Sequence, residues 1–125
     1  MSRYAEAHIS PQGPGDARPT ALQIVHDEGL EGKLRDKVIV ITGTSSSISI
    51  ETARTLASTG ARLFLTARDL TKYKTALAGF FNPDRIEIVE IDQELLESVC
   101  SAAKQILSRT NKINILINNA GIMAI

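Results

Sequence analysis

Short apolar runs alternate with amphipathic stretches along most of this chain. Four apolar runs, at 37–42, 61–67, 85–91 and 112–125, are predicted to form strands, and the last of them runs into Asn, Ala and Gly. Three stretches between them, at 47–59, about 69–80 and 93–110, carry apolar residues at helical spacing and are predicted to form helices. The order β-α-β-α-β-α-β is typical of a parallel α/β sheet, and its crossovers should be right-handed.

The distribution of apolar residues also predicts how deeply each element is buried. KVIVIT (37–42) is apolar on both faces, as a central parallel strand needs, and the last strand is likewise expected to be buried. RIEIVEI (85–91) alternates charged and apolar residues, which predicts a half-exposed edge strand. The helix at 93–110 is expected to direct six residues inward: Leu95, Leu96, Val99, Ala103, Ile106 and Leu107.

The first 36 residues lack this alternation. Residues 1–19 are rich in Pro, Gly and polar residues and are predicted to form a disordered arm. Residues 20–36 are a lead-in segment that could open with a short helix capped by Thr20, with Leu22 and Val25 on one side. The ordered domain is expected to span 37–125.

Composition narrows the class of protein. A chain of 125 residues forms one domain at most, and its 14 basic and 14 acidic residues cancel, so no global field attracts nucleic acid or an anionic membrane. We find no apolar run long enough to span a bilayer and no signal peptide at the N-terminus. The lone Cys100 excludes an internal disulfide, and its position in a helical pattern predicts a buried thiol. A cytoplasmic location is the expectation.

Small and polar residues follow the first predicted strand. In TGTSSSIS (42–49), Gly43 could form the tight turn of a phosphate-binding loop, with backbone N–H groups at the start of a helix. The serine hydroxyls would add donors. The alternative is a serine-rich helix start in which hydroxyls cap free N–H groups. This stretch alone does not decide between them.

The other strand ends also carry candidate binding residues. Arg68 follows the second strand, where arginine favours a 2′-phosphate, hence NADP over NAD, although it could be a solvated surface residue. The next residue, Asp69, could cap the following helix. Asp92 follows the third strand as an N-cap or a neighbour of an adenine ring. NNAG (118–121) follows the fourth strand. It could place small residues along the path of a ribose, or it could simply form a turn.

Together, these strand ends resemble the short-chain dehydrogenase/reductase superfamily. The family pattern is T-G-x-x-x-G-x-G in the first turn and N-N-A-G after strand four, and the likeness covers roughly residues 20–125. The lead-in and TARDLTK (66–72) look most like the retinol-dehydrogenase and WW-domain-oxidoreductase-like branch, fungal relatives included. The resemblance implies a partial Rossmann-type doubly wound sheet with strand order 3-2-1-4, and a nicotinamide dinucleotide, NADP rather than NAD, as cofactor. By resemblance, the cofactor-binding residues are Gly43, Ser45, Ser47, Ile48, Arg68, Asp92, Asn118, Asn119, Ala120 and Gly121.

Ser47 and Ser49 depart from this pattern, because they stand at the positions of its second and third glycines. The second glycine lets the backbone approach the pyrophosphate, and the third lets helix and strand pack closely. If the backbone there needs positive φ, strain adds roughly 1–3 kcal/mol. We therefore expect weakened, but not abolished, NADP binding.

The catalytic residues of the family are a second departure. The family's serine and Tyr-x-x-x-Lys lie downstream of N-N-A-G, and Tyr73 is followed four places on by Leu77, not lysine. Two functions stay open. The chain could be the cofactor-binding half of an NADP-dependent oxidoreductase that transfers hydride between nicotinamide and an alcohol or carbonyl. It could instead be a non-catalytic remnant that binds nucleotide weakly or acts through a partner. With order 3-2-1-4, strand four would be an open edge, so self-association through 113–118 is expected.

Overall fold

A computed structural model describes residues 3–43, 47–80 and 82–121, with Ser47 described by its backbone only. The helices are α1 Ala21–Asp27, α2 Ser47–Ser58, α3 Leu70–Ala76 and α4 Leu96–Arg109. The strands are β1 Val38–Ile41, β2 Arg62–Ala67, β3 Ile86–Glu90 and β4 Ile115–Ile117. The predicted alternation of strands and helices is confirmed, and α3 ends earlier than expected.

The four strands form one parallel sheet in the order β3-β2-β1-β4, which is the order that the family resemblance implies. Ile39 of β1 is paired with Leu63 of β2 on one side and with Ile115 of β4 on the other. Because all strands run the same way, their carboxyl ends meet at one edge of the sheet, where ligands bind in such folds.

Helices cover both faces of the sheet, which makes it doubly wound. Ile39 and Leu63 pack with residues of α2 and α3 on one face. Val40 and Phe64 pack with Ile106 of α4 on the other. Successive residues of a strand point to opposite faces, so a central strand must be apolar throughout, as VIVI of β1 is.

The expected burial of α4 is wrong for several residues. Leu95, Leu96, Ala103 and Leu107 are exposed, Val99 is half-buried, and Ala102 and Ile106 are the buried residues of the helix. Cys100 is also exposed, not the buried thiol that the pattern predicts. The reason is that α4 contacts the sheet mainly along β3. A single line of contact buries a narrower stripe than the apolar pattern suggests.

The two edges of the sheet differ. β3 is half-exposed as predicted, with Ile86 and Val89 buried and the residues between them only partly covered. The fourth strand is not the buried strand that its apolar run suggests, because Ile115 and Leu116 are 41% and 57% exposed. Among the described strands β4 pairs with β1 alone, which confirms the open edge.

The N-terminal segments contain local structure. Thr20 caps α1 by accepting a hydrogen bond from the Gln23 N–H, as expected, and Val25 is buried, but Leu22 is exposed. In the segment predicted to be a disordered arm, a short 3-10 helix spans Ala5–His8, and the Tyr4 hydroxyl donates to a carboxylate oxygen of α1. No helix within the described ranges has the length and apolar character needed to cross a membrane.

Candidate nucleotide-binding cleft

A cleft of about 500 Å³ lies at the carboxyl edge of the sheet and draws residues from the ends of all four strands. After β1 come Gly43, Ile48 and Ser49; from the end of β2 come Thr66, Ala67 and Arg68; after β3 come Ile91, Asp92, Gln93 and Glu94; after β4 come Asn119, Ala120 and Gly121. We call this the carboxyl cleft.

The turn after β1 depends on Gly43. Its φ of +68° lies in the left-handed region, where L side chains are strained. A Cβ atom built at this position would lie 2.6 Å from the Cβ of Ala120 and 2.9 Å from its backbone N. A side chain here would therefore collide with the turn after β4. Gly43 lets two strand ends meet at the cleft.

Thr42 joins the same two turns by hydrogen bonds. Its hydroxyl oxygen accepts from the backbone N–H groups of Asn119 and Ala120, each at 3.1 Å. The Asn119 side-chain amide donates back to the carbonyl oxygens of Thr42 and Gly43, also at 3.1 Å. These bonds attach NNAG to the first turn, so NNAG is not a free surface turn.

Ser49 is part of this network. Its side chain is 2% exposed, and its hydroxyl donates to the Gly43 carbonyl at 3.1 Å and accepts from the Asn119 amide at 2.8 Å. All positive φ values among the described residues belong to glycines. Ser49, at the third glycine position, therefore has no positive φ, and the backbone strain that such a φ would cause is not found there. Ser47 begins α2 with a helical backbone, and Ser45 lies outside the described residues.

The start of α2 faces the cleft. The helix is 12 residues long, so its first N–H groups and its dipole can attract an anion. Ile48, in the first turn, is 77% exposed and lines the cleft. An exposed isoleucine in the first turn of this helix offers apolar contact next to a candidate anion site.

Arg68 and Asp92 face each other across the ends of β2 and β3. Arg68 Nη2 lies 3.7 Å from Asp92 Oδ2, and the Arg68 side chain is 74% exposed. Such an exposed pair contributes little free energy, so the guanidinium can turn to another anion at little cost. Asp92 Oδ1 accepts from the Glu94 N–H at 3.0 Å.

The expected helix caps have different outcomes. Asp69 caps α3, as predicted, by accepting from the Lys72 N–H at 3.1 Å. Asp92 is not the N-cap of α4, because that position belongs to Leu95. The Asp92 carboxylate instead closes a turn before the helix, which leaves it at the rim of the carboxyl cleft.

The structure brings most of the expected site residues together. Seven of them line the carboxyl cleft: Gly43, Ile48, Arg68, Asp92, Asn119, Ala120 and Gly121. Asn118 is exposed and does not line it. Six further residues line the cleft that the sequence did not identify as cofactor-binding: Ser49, which was noted only as a replaced glycine, and Thr66, Ala67, Ile91, Gln93 and Glu94. The signal for the last five was position alone, since they flank the strand ends that were already identified.

A larger cavity, of about 620 Å³, lies near the amino ends of the strands. It is lined by residues such as Arg35, Arg54, Gly60, Phe80 and Arg85. The Arg85 guanidinium there donates to the carbonyl oxygens of Arg35 and Gly60 at 2.6 Å, so it stabilises the backbone. In the described part of the chain we find no cluster of three or more metal-ligating side chains. The carboxyl cleft is therefore the better candidate site.

Comparison with known proteins agrees with this geometry. The family model for short chain dehydrogenase matches residues 37–125. The chain is 49% identical over 122 residues to short-chain dehydrogenase/reductase prx1 of Penicillium roqueforti, covering 98% of this chain and 36% of that protein. It is 36% identical to human retinol dehydrogenase 12, covering 73% of this chain and 30% of that protein. The chain thus spans little more than a third of the length of the most similar of these relatives.

Solved structures share the fold. A metagenomic short-chain oxidoreductase in complex with NADP is 32% identical, with a TM-score of 0.62, over 71% of this chain and 41% of that one. The sheet order, the meeting of Gly43 with Ala120 and the matched range 37–125 point the same way. The chain belongs to the short-chain dehydrogenase family.

Proposed function

We propose that the carboxyl cleft binds NADP, and that the chain supplies the nucleotide-binding part of an oxidoreductase that transfers hydride between nicotinamide and an alcohol or carbonyl carbon. One observation carries the proposal. The turn at Gly43, the guanidinium of Arg68 and the NNAG turn all line one cleft, although they are far apart in sequence.

Each part of a dinucleotide has a matching group in this cleft. The turn at Gly43 and the start of α2 offer backbone N–H groups to a pyrophosphate, to which Ser45 and Ser47 would add hydroxyl donors. Asp92, beside Ile91, borders the place for an adenine ring. The turn 118–121 provides small residues along which a ribose can pass, with Asn119 to Gly121 on the cleft and Asn118 outside it.

Arg68 supports NADP over NAD. An arginine that follows the second strand can pair with the 2′-phosphate that NADP has and NAD lacks. Arg68 is largely exposed and its pair with Asp92 is weak, so a phosphate can replace that partner. A similar solved structure is a complex with NADP.

The hydride step requires residues beyond this cleft. Tyr73 is 1% exposed and packs in the core with Leu77, so its hydroxyl does not reach a substrate. The Tyr4 hydroxyl donates to Asp27 at 2.8 Å. Neither tyrosine lines the carboxyl cleft, which supports a second candidate function: a protein that binds the nucleotide without turning it over.

Two further proposals accompany this function. The segment 113–118, which contains β4, is proposed as a surface through which copies of the chain associate, since Ile115 and Leu116 are exposed on the open edge. A cytoplasmic location is proposed from the single cysteine, which does not require an oxidising compartment.

A fluorescence titration tests the nucleotide site. NADPH and NADH are added to the chain under the same ionic conditions, and their dissociation constants are compared. We expect saturable binding of both, with NADPH tighter by about tenfold because of one charge-assisted contact. Equal affinities would refute the NADP preference, and binding of neither would refute the nucleotide site.

A further inference from the structure

The side chain of Ser49 has a use that a glycine at the same position lacks. It is 2% exposed inside α2 and faces the turn after β1. The family pattern has glycine here, so this hydroxyl belongs to the chain itself rather than to the general pattern. The contacts of this hydroxyl show what the change from glycine to serine does.

The hydroxyl completes a ring of hydrogen bonds. Ser49 Oγ donates to the Gly43 carbonyl at 3.1 Å, Asn119 Nδ2 donates to Ser49 Oγ at 2.8 Å, and Asn119 Nδ2 also donates to the Gly43 carbonyl at 3.1 Å. A hydroxyl has one proton to donate and lone pairs to accept with, and Ser49 uses both functions. Such closed networks hold their members in a defined arrangement.

The ring joins the three segments that form one end of the carboxyl cleft. These are the turn at Gly43, the first turn of α2 and the NNAG turn, and all three line the cleft. Without the hydroxyl, the Asn119 amide loses its shortest bond and the Gly43 carbonyl loses one donor. A looser turn must be ordered when a ligand binds, and that ordering lowers affinity.

We propose that Ser49 is a positioning residue for the nucleotide. Its hydroxyl fixes the Gly43 turn against Asn119, so that this end of the carboxyl cleft is arranged before the pyrophosphate arrives. This inference rests on the proposed nucleotide site. It reverses the sequence-based expectation for this position, since serine here strengthens binding where the glycine pattern predicts weakening.

Four variants separate the hydroxyl from the volume of the side chain. Ser49→Ala removes only the hydroxyl, Ser49→Gly restores the family residue, and Ser49→Thr keeps a hydroxyl. Ser58→Ala is the matched control, because its hydroxyl donates to the Thr55 carbonyl on the same helix and does not line the carboxyl cleft. Each folded variant is titrated with NADPH and with NADH, well below its melting temperature.

The expected result is a loss of affinity of about two- to tenfold in Ser49→Ala and Ser49→Gly, as one hydrogen bond implies. The loss should be equal for NADPH and NADH, since both carry the pyrophosphate, and Ser49→Thr should recover most of it. Ser58→Ala should match the unchanged chain. A purely structural role would lower the melting temperature without this pattern of affinities.

Other outcomes overturn the inference in distinguishable ways. If the unchanged chain binds both nucleotides and Ser49→Gly binds as tightly or more tightly, the positioning role is wrong while the nucleotide site stands. If the unchanged chain binds neither nucleotide, the proposed function fails, and this inference fails with it. Because glycine is the family residue at this position, Ser49→Gly supplies the test even if Ser49→Ala does not fold.

Discussion

Gly43 lies against Ala120 so closely that a Cβ atom at position 43 would come within 2.6 Å of the Ala120 Cβ. Gly43 also has a φ of +68°, which a side chain disfavours. Both facts predict that Gly43→Ala destabilises the chain, by roughly 1–3 kcal/mol. Urea unfolding measures the loss, and nucleotide affinity should fall with it because the turn must move.

Gly79→Ala is the control for that substitution. Gly79 has no positive φ, and a Cβ atom there would meet nothing within 4 Å. This variant should unfold at nearly the same urea concentration as the unchanged chain. Equal effects of the two substitutions would show that Gly43 and Ala120 are not in close contact.

Thr42 is expected to hold the NNAG turn through its hydroxyl. Thr42→Val keeps the shape of the side chain but leaves the N–H groups of Asn119 and Ala120 without this acceptor. The expected cost is about 1–3 kcal/mol of unfolding free energy, with faster hydrogen exchange mainly at the Ala120 amide, because the Asn119 N–H also donates to the Ile117 carbonyl. Thr42→Ser retains the acceptor and should restore slow exchange. Slow exchange in Thr42→Val would contradict this role.

Arg68 is expected to select between the two nicotinamide cofactors. Arg68→Ala should lower the affinity for NADPH about tenfold and leave the affinity for NADH nearly unchanged, because only NADPH has a 2′-phosphate to pair with the guanidinium. Calorimetry at two salt concentrations should show a smaller salt dependence for NADPH in the variant. The control is Lys104→Ala, an exposed cation on α4 that does not line the carboxyl cleft. A similar loss for both cofactors in Arg68→Ala would rule out this selectivity.

The open edge at β4 predicts association between chains. Among the described strands β4 pairs with β1 alone, so its other edge and the exposed Ile115 and Leu116 offer a surface for a second strand. Sedimentation velocity should show concentration-dependent oligomers that Leu116→Lys shifts towards monomer. Leu22→Lys, which changes an exposed leucine on α1, should not have this effect. A monomer at all concentrations would count against the edge as an interface.

The sequence predicts the sheet well because local and global signals agree. β3 alternates apolar and charged residues as an edge strand does, and β1 is apolar on both faces because it is central, between β2 and β4. Helical periodicity, by contrast, cannot show how much of a helix the neighbouring elements cover. Leu96 and Leu107 follow the apolar pattern of α4 and still are exposed, because the helix meets the sheet along a narrow line.

The candidate site is predictable only in part, for a related reason. Gly43, Arg68 and Asp92 each follow a strand, so topology alone brings them to one edge. The role of Ser49 depends on Asn119, 70 residues away in sequence. A motif comparison records the loss of a glycine there, whereas the three-dimensional arrangement shows a hydroxyl with two partners.

The most direct measurement is an NMR titration of the isotope-labelled chain with NADPH. If the carboxyl cleft is the nucleotide site, saturable shift changes should appear at the amides of Gly43, Arg68, Asp92 and Asn119 and fade with distance from them. Gly60 and Arg85, which line the cavity near the amino ends of the strands, should stay unchanged. The absence of saturable changes, or changes centred on Gly60 and Arg85, would contradict a nucleotide site at the carboxyl edge of the sheet.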